Sequence, residues 1–291
     1  MVVAVILASG KGTRLMPLST ALRPKQYLDV ITGKTLIEDT IDRVKNIVGL
    51  DNVFVVCSSL QKQLAKDTLN FLNDENLIFE PEMKETLASI THAISYINKL
   101  RGDVTYLFLP SDHYIPETLL FESSIKEGLD LYNSNQNLVL FGLKPTEPNT
   151  GFGYIETKKE DNHYKILSFI EKPKLEIAEK IWNLDNYFWG TFIFFTNKDI
   201  VYNALRENYP KQYELLIKLD QNIIDKNDYF KDSLVDNFSR SILEKLDNMK
   251  LVKAKYQWFD IGSFDSLFEV LEQLGKHDKV LEIKKLIEIK K

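Results

Sequence analysis

Ser9-Gly-Lys-Gly-Thr-Arg14 follows directly on an apolar run, Val2–Ala8. Small residues after a strand let the backbone approach a phosphate, and successive N–H groups can cradle an anion. Arg14 and Lys25 place cations at two ends of one loop, where they can neutralise and orient a multiply charged phosphate. Asp112 stands just past a second apolar run, Val104–Leu109, in the place where α/β sheets put ligands. An Asp at such a position otherwise serves as a helix cap or turn residue. Two familiar phosphate loops do not fit. The dinucleotide pattern needs a third Gly where Leu15 stands, and a loop ending in Gly33-Lys-Thr35 needs an earlier Gly where Leu28 stands.

A longer pattern does fit. Leu7-Ala-Ser-Gly-Lys-Gly-Thr-Arg-Leu-Met-Pro-Leu-Ser19, followed by Arg23-Pro-Lys-Gln26, resembles the opening motif of the nucleotidyltransferases that make sugar nucleotides. Its Pro-Leu-Ser and Pro-Lys-Gln are most similar to the mannose-1-phosphate guanylyltransferase branch. The resemblance implies that Ala8, Ser9, Gly10, Gly12, Thr13 and Ser111 surround the nucleotide, and that Arg14 and Lys25 are the catalytic cations. Truncating either cation is expected to cost little packing, since both flank a small-residue loop. Leu109-Pro-Ser-Asp-His113 resembles the family's Mg²⁺-ligand segment, and Trp258-Phe-Asp-Ile-Gly262 its late Trp-x-Asp-(Val or Ile)-Gly. The resemblance therefore makes Asp112 and Asp260 the metal ligands and leaves His113 lining the substrate or lying behind the ligands.

Pro148-Asn-Thr-Gly-Phe-Gly-Tyr-Ile155 and Phe169-Ile-Glu-Lys-Pro173 resemble the family's sugar segments. Gly153, Glu171, Lys172 and Gly190 are then expected at the sugar phosphate. Three positions depart from the pattern: Phe188 replaces an Asn expected to contact the sugar, Ser239 replaces an Asp, and Glu85 replaces an Asn near the base. A carboxylate at Glu85 could accept two parallel hydrogen bonds from guanine's N1–H and exocyclic amine. The plainer reading is an exposed acid in the first turn of a helix, favoured by the helix dipole. The implied reaction transfers GMP from GTP to mannose-1-phosphate with Mg²⁺ as cofactor, releasing pyrophosphate. The alternatives are the same chemistry with another base or sugar (a dTDP- or UDP-sugar pyrophosphorylase) and a regulatory protein that binds a sugar nucleotide without turnover.

These residues need elements to hold them. Short apolar runs at Val2–Ala8, Val53–Cys57, Leu77–Phe79, Val104–Leu109 and Leu138–Leu143 alternate with helical patterns at Leu36–Val48, Leu60–Leu72, Thr86–Leu100 and Leu119–Tyr132. That order predicts α/β, a mostly parallel, doubly wound (Rossmann-like) sheet. Gly151–Glu156 and Lys165–Glu171, close in sequence, predict an antiparallel elaboration, which the resemblance makes sugar-binding, with a strand at Phe188–Phe195 and helices at Lys198–Glu207 and near Leu234–Leu246. The expected organisation is a nucleotidyltransferase domain over 1–268, with a nucleotide part to about 145 and a sugar part over about 146–262, and a helical tail over 269–291.

The chain of 291 residues, 44% hydrophobic and 27% charged, is long enough to bury a core without disulfides. Its net charge of −5 argues against a nucleic-acid partner. The single cysteine, Cys57, lies in an apolar run and reads as a buried strand residue of a reducing compartment. No window is long and apolar enough for a membrane span, so a cytoplasmic location is expected. The oligomeric state stays open, a homodimer included.

Overall fold

The computed structural model describes residues 1–289. Among these the strands are β1 (Val2–Leu7), β2 (Val53–Ser58), β3 (Leu77–Glu80), β4 (Thr105–Pro110), β5 (His113–Tyr114), β6 (Val139–Leu143), β7 (Gly153–Glu160), β8 (His163–Ile170), β9 (Tyr187–Thr196), β10 (Lys250–Lys253) and β11 (Phe259–Asp260). The helices are α1 (Leu36–Val48), α2 (Lys62–Thr68), α3 (Glu85–Arg101), α4 (Thr118–Asn135), α5 (Leu175–Ile181), α6 (Lys198–Asn208), α7 (Pro210–Asp220), α8 (Lys226–Asp232), α9 (Phe264–Gln273) and α10 (His277–Ile289). The chain divides into two compact units that interleave in sequence. An N-terminal unit takes Ala4–Glu80, Pro110–Thr118 and the chain from Tyr256 on; a central unit takes Met1–Val3, Pro81–Leu109 and Leu119–Lys255.

In the N-terminal unit β1, β2 and β3 pair in parallel. All six residues of β2 are buried, the mark of a strand covered on both faces. Cys57 lies in it, and burial pushes its thiol up to about 12, so it packs as a neutral group beside the Tyr27 hydroxyl. α1 starts on a capping box in which Thr35 and Glu38 satisfy each other's backbone N–H groups. α9 and α10 close the unit: Val280 and Ile283 join Leu267, Leu271, Ile261 and Leu15 in one apolar cluster. Residue 268 thus lies inside a helix, and positions 290–291 of the expected tail lie outside the described residues.

The central unit orders its strands β4-β9-β6-β10-β8-β7, with β9 also pairing β7. Here β6–β10 is parallel, whereas β4–β9, β6–β9, β10–β8, β7–β8 and β7–β9 run antiparallel. Parallel pairing thus joins β1, β2 and β3 and also β6 and β10, while the other pairings of the central unit are antiparallel, so the molecule is mixed α/β rather than the expected mostly parallel, doubly wound sheet. The reason is β9. Its aromatic run fits a buried strand of either direction, and it runs back antiparallel between β4 and β6. The expected β7–β8 hairpin is present. The segment near 234–246 is a π-helical turn over Ser239–Leu243, and the helices before it are α7 and α8, which the apolar pattern did not reveal.

Candidate active site

A two-stranded ribbon carries the acidic residues. β5 and β11 pair antiparallel with Asp260 opposite His113, and Ile261 N donates to Asp112 O at 3.2 Å. This pairing sets two carboxylates from distant parts of the chain side by side. One ligand atom each of Asp112, His113 and Asp260 lies within 4.8 Å of the others. Lys25 Nζ reaches into the cluster, 2.5 Å from Asp112 Oδ2 and 3.8 Å from Asp260 Oδ1, and donates to Ile261 O at 3.0 Å. Burial works to raise the Asp112 carboxyl, but the Lys25 ammonium beside it outweighs burial and holds it below the usual carboxylate range. Asp112 is a carboxylate at neutral pH. Lys25 is 6% exposed, so the expectation that truncating it costs little packing does not hold. Arg14 is exposed, and for it the expectation stands.

The small-residue loop is held from beneath. Gly12 has φ 61°, and a Cβ there would overlap the Lys25 backbone nitrogen; the loop can close over Lys25 only with glycine at this point. Ser19 Oγ donates to Gly12 O at 2.5 Å, and Gln26 Nε2 to Ala8 O at 2.5 Å and to Gly10 O at 3.1 Å. Ser9 Oγ donates to Val56 O at 3.3 Å. Ser111 is buried, its N–H donating to Leu7 O at 3.2 Å. Thr13 and Arg14 begin a 3-10 turn over Thr13–Leu15, anchored by the buried Leu15. A Cβ at Gly262 would lie 3.2 Å from Arg14 Nη1 and 3.2 Å from Asp260 Oδ1, so Gly262 leaves room for that guanidinium beside the carboxylate. Gln26 and Gly262 stand in the motifs, yet residue type alone gave neither a role.

His113 is buried and not a metal ligand in this arrangement. Trp258 Nε1 donates to His113 Nδ1 at 3.0 Å. An indole N–H can only donate, so Nδ1 carries the lone pair and the neutral ring bears its hydrogen on Nε2. Burial pushes the imidazole down against the pull of Asp112, which keeps the ring neutral. The donors left are the oxygens of Asp112 and Asp260. Two carboxylates suit a hard divalent cation, which takes oxygen ligands and fills its other positions with phosphate oxygens or water, so the donor set fits one.

The expected sugar-side residues all lie in the central unit. Gly153 faces Gly190 across β7 and β9. A Cβ on Gly153 would come within 2.5 Å of the Phe169 ring and 3.2 Å of Glu171 Oε2, and one on Gly190 within 3.3 Å of Phe169. Both glycines thus make room for Phe169. Glu171 N donates to Glu244 Oε1 at 2.8 Å, and Lys172 Nζ lies 3.7 Å from Glu171 Oε1. Lys172 (φ 46°) and Glu85 (φ 61°) hold left-handed backbone, uncommon for such residues and concentrated at functional sites. Glu85 is exposed at the start of α3. Phe188 is fully buried, 4.9 Å from the Tyr164 ring and 4.5 Å beneath Lys144 Nζ; it is a packing residue. Ser239 is buried in the π-helical turn.

Comparison with known proteins identifies the family. The family profile described as nucleotidyl transferase matches residues 3–277. A mannose-1-phosphate guanylyltransferase of Escherichia coli is 31% identical over 95% of this chain, and one of Salmonella montevideo 28% over 94%. The chain spans 62% and 60% of their lengths. The crystal structure described as a mannose-1-phosphate geranyltransferase from Thermus thermophilus superposes with a TM-score of 0.85 at 25% identity, over 93% of this chain and 79% of that one. A UDP-glucose pyrophosphorylase complexed with UDP-glucose shares the fold, with a TM-score of 0.64 at 18% identity over 95% of this chain and 100% of that one.

Proposed function

We propose that this chain, which belongs to the nucleotidyl transferase family, transfers a nucleoside monophosphate from a triphosphate to a sugar-1-phosphate, with GTP and mannose-1-phosphate as the pair. The observation that carries the reading is the Lys25 ammonium flanked by Asp112 and Asp260 and covered by a glycine loop that bears Arg14. In the reaction a phosphate oxygen of the sugar-1-phosphate bonds to the α-phosphorus. The bond from that phosphorus to the bridging oxygen breaks, and pyrophosphate leaves with the electron pair. The nucleophile is already ionised at neutral pH, so no general base is required. Catalysis is then positioning and charge neutralisation. The loop from Ala8 to Thr13 would present backbone N–H groups to the triphosphate, and Arg14 and Lys25 would neutralise and align the phosphates. Asp112 and Asp260 would hold a divalent cation, Mg²⁺ in this reading, which supplies charge neutralisation at phosphate oxygens. Glu171 and Lys172 would take the sugar hydroxyls and its phosphate, and Glu85 the guanine edge.

A second reading, the same transfer onto another hexose-1-phosphate, is favoured by Phe188, whose buried ring offers no hydrogen bond where the mannose branch has an Asn. The experiment is a matrix of nucleoside triphosphates against sugar-1-phosphates scored by pyrophosphate release. Turnover with GTP and mannose-1-phosphate above the other pairs is the expected result. Preference for UTP or TTP sinks the guanylyl assignment, and release with no pair sinks the transferase reading.

A further inference from the structure

The ribbon that bears the metal carboxylates also carries a pair of aromatic side chains with no part in the reaction above. We propose that His113 is a positioning residue for Asp112, and that Trp258 fixes the tautomer in which it does so. The inference rests on the reading of Asp112 and Asp260 as metal ligands. His113 is 6% exposed, and three sides of it are held. Its carbonyl accepts from Arg43 Nη2 of α1 at 2.9 Å, its backbone pairs with Asp260, and its Nδ1 accepts from the Trp258 indole at 3.0 Å. The rings meet edge to face, 5.0 Å apart at 83°. What remains free to act is Nε2–H, which lies 4.0 Å from Asp112 Oδ1, while Lys25 holds the other oxygen, Oδ2, at 2.5 Å.

Asp112 thus has the Lys25 ammonium on Oδ2 and the His113 Nε2–H facing Oδ1 from 4.0 Å, beyond hydrogen-bond distance. A carboxylate that ligates a cation through one oxygen must be kept from rotating, and a hydrogen-bond donor on the other oxygen does this. Nε2–H is the donor nearest the oxygen that Lys25 leaves open, and in this proposal the hydrogen bond forms when the carboxylate turns to take the cation. Without the indole donor the hydrogen could sit on Nδ1 instead. Nε2 would then turn a lone pair towards the carboxylate, which repels it. The same lone pair would also offer a nitrogen ligand to metals softer than the oxygen pair selects.

The test reads metal binding without turnover: Mn²⁺ titrated into the full chain and followed by the loss of its free-ion electron paramagnetic resonance signal. Trp258→Phe keeps the ring and removes the donor. His113→Gln keeps a donor near the Nε2 position, and His113→Asn keeps one only near Nδ1. Trp258→Phe and His113→Asn are expected to weaken Mn²⁺ binding on the order of tenfold, whereas His113→Gln stays within about threefold of the wild type. Thermal melts of each variant identify any that fail to fold, and Trp258→Phe is the variant that leaves the His113 backbone contacts in place. Equal loss in His113→Gln and His113→Asn would mean that the imidazole itself is a ligand and would overturn the proposal, as would unchanged binding in Trp258→Phe. A wild type that takes up no Mn²⁺ would instead remove the metal reading on which the proposal stands.

Discussion

Lys25 occupies the place between two carboxylates that a divalent cation would also favour. Its ammonium, 2.5 Å from Asp112 and 3.8 Å from Asp260, balances their charge, and removing it leaves two close carboxylates unpaired. Lys25→Met is therefore expected to lower turnover by at least two orders of magnitude and stability by about 3 kcal/mol. Added Mg²⁺ should raise the melting temperature of the variant more than that of the wild type, since the cation can take over the charge. Melts with and without Mg²⁺ check this, and an equal shift in both proteins would show that Lys25 and the cation occupy separate places. Asp112→Asn and Asp260→Asn each keep the shape and remove one charge. Each should cost turnover by two orders of magnitude or more while the protein still folds, as steady-state kinetics and near-ultraviolet circular dichroism would report. Near wild-type rates in either variant would remove it from the metal site.

At the scale of elements, the loop and helix α3 carry separate consequences. Gly12→Ala forces a side chain into left-handed backbone and against the Lys25 nitrogen, so the loop must shift. The expected cost is about 1–3 kcal/mol, with turnover reduced more than the melting temperature alone explains, because Lys25 moves with the loop. In α3, His92 is buried near Phe230 and Tyr229, their rings 5.1 and 6.3 Å away. Burial, aided by Lys226 and Lys99, pushes its imidazole down to about 4. The unfolded chain takes up a proton near pH 6.5 and the folded one only near 4, so protonation favours unfolding. This contribution leaves stability intact above about pH 6.5 and erodes it as the pH falls towards 4, by up to about 3 kcal/mol. Urea unfolding at pH 7 and pH 5 measures the slope. His92→Leu should flatten it, and an unchanged slope would place the titration elsewhere.

At the scale of the molecule, residues far from the chemistry support the loop. Val280 and Ile283 of α10 join the cluster that contains Leu15, the anchor of the Thr13–Leu15 turn, and Ile261, whose carbonyl accepts from Lys25. Ile283→Ala is expected to cost about 2–5 kcal/mol, through lost burial and the cavity left behind. It should also raise KM for the triphosphate, because Leu15 then loses support. Denaturant unfolding and kinetics on one preparation check both, and an unchanged KM beside the full stability loss would uncouple α10 from the loop.

The sequence by itself determined what is local. Small residues after an apolar run made the loop, the run of apolar residues in β2 announced a buried strand, and the 7–26, 109–113 and 258–262 motifs named Arg14, Lys25, Asp112 and Asp260. Helices α1, α3, α4 and α6 were legible because their apolar residues recur at helical spacing. Only the tertiary structure decided what depends on pairing at long range. Strand direction is one case: an aromatic run such as β9 suits parallel and antiparallel neighbours alike, so its reversal could not be read. The burial of Lys25 and Phe188 is another: type reads Lys25 as a loop cation and the resemblance sets Phe188 where an Asn would meet the sugar, but each packs according to what folds over it. The ribbon of β5 and β11 joins segments that share no local signal. The contacts of Trp258 with His113 and of Gln26 with the loop carbonyls are likewise made by chain closure, which residue type and spacing along one sequence do not encode.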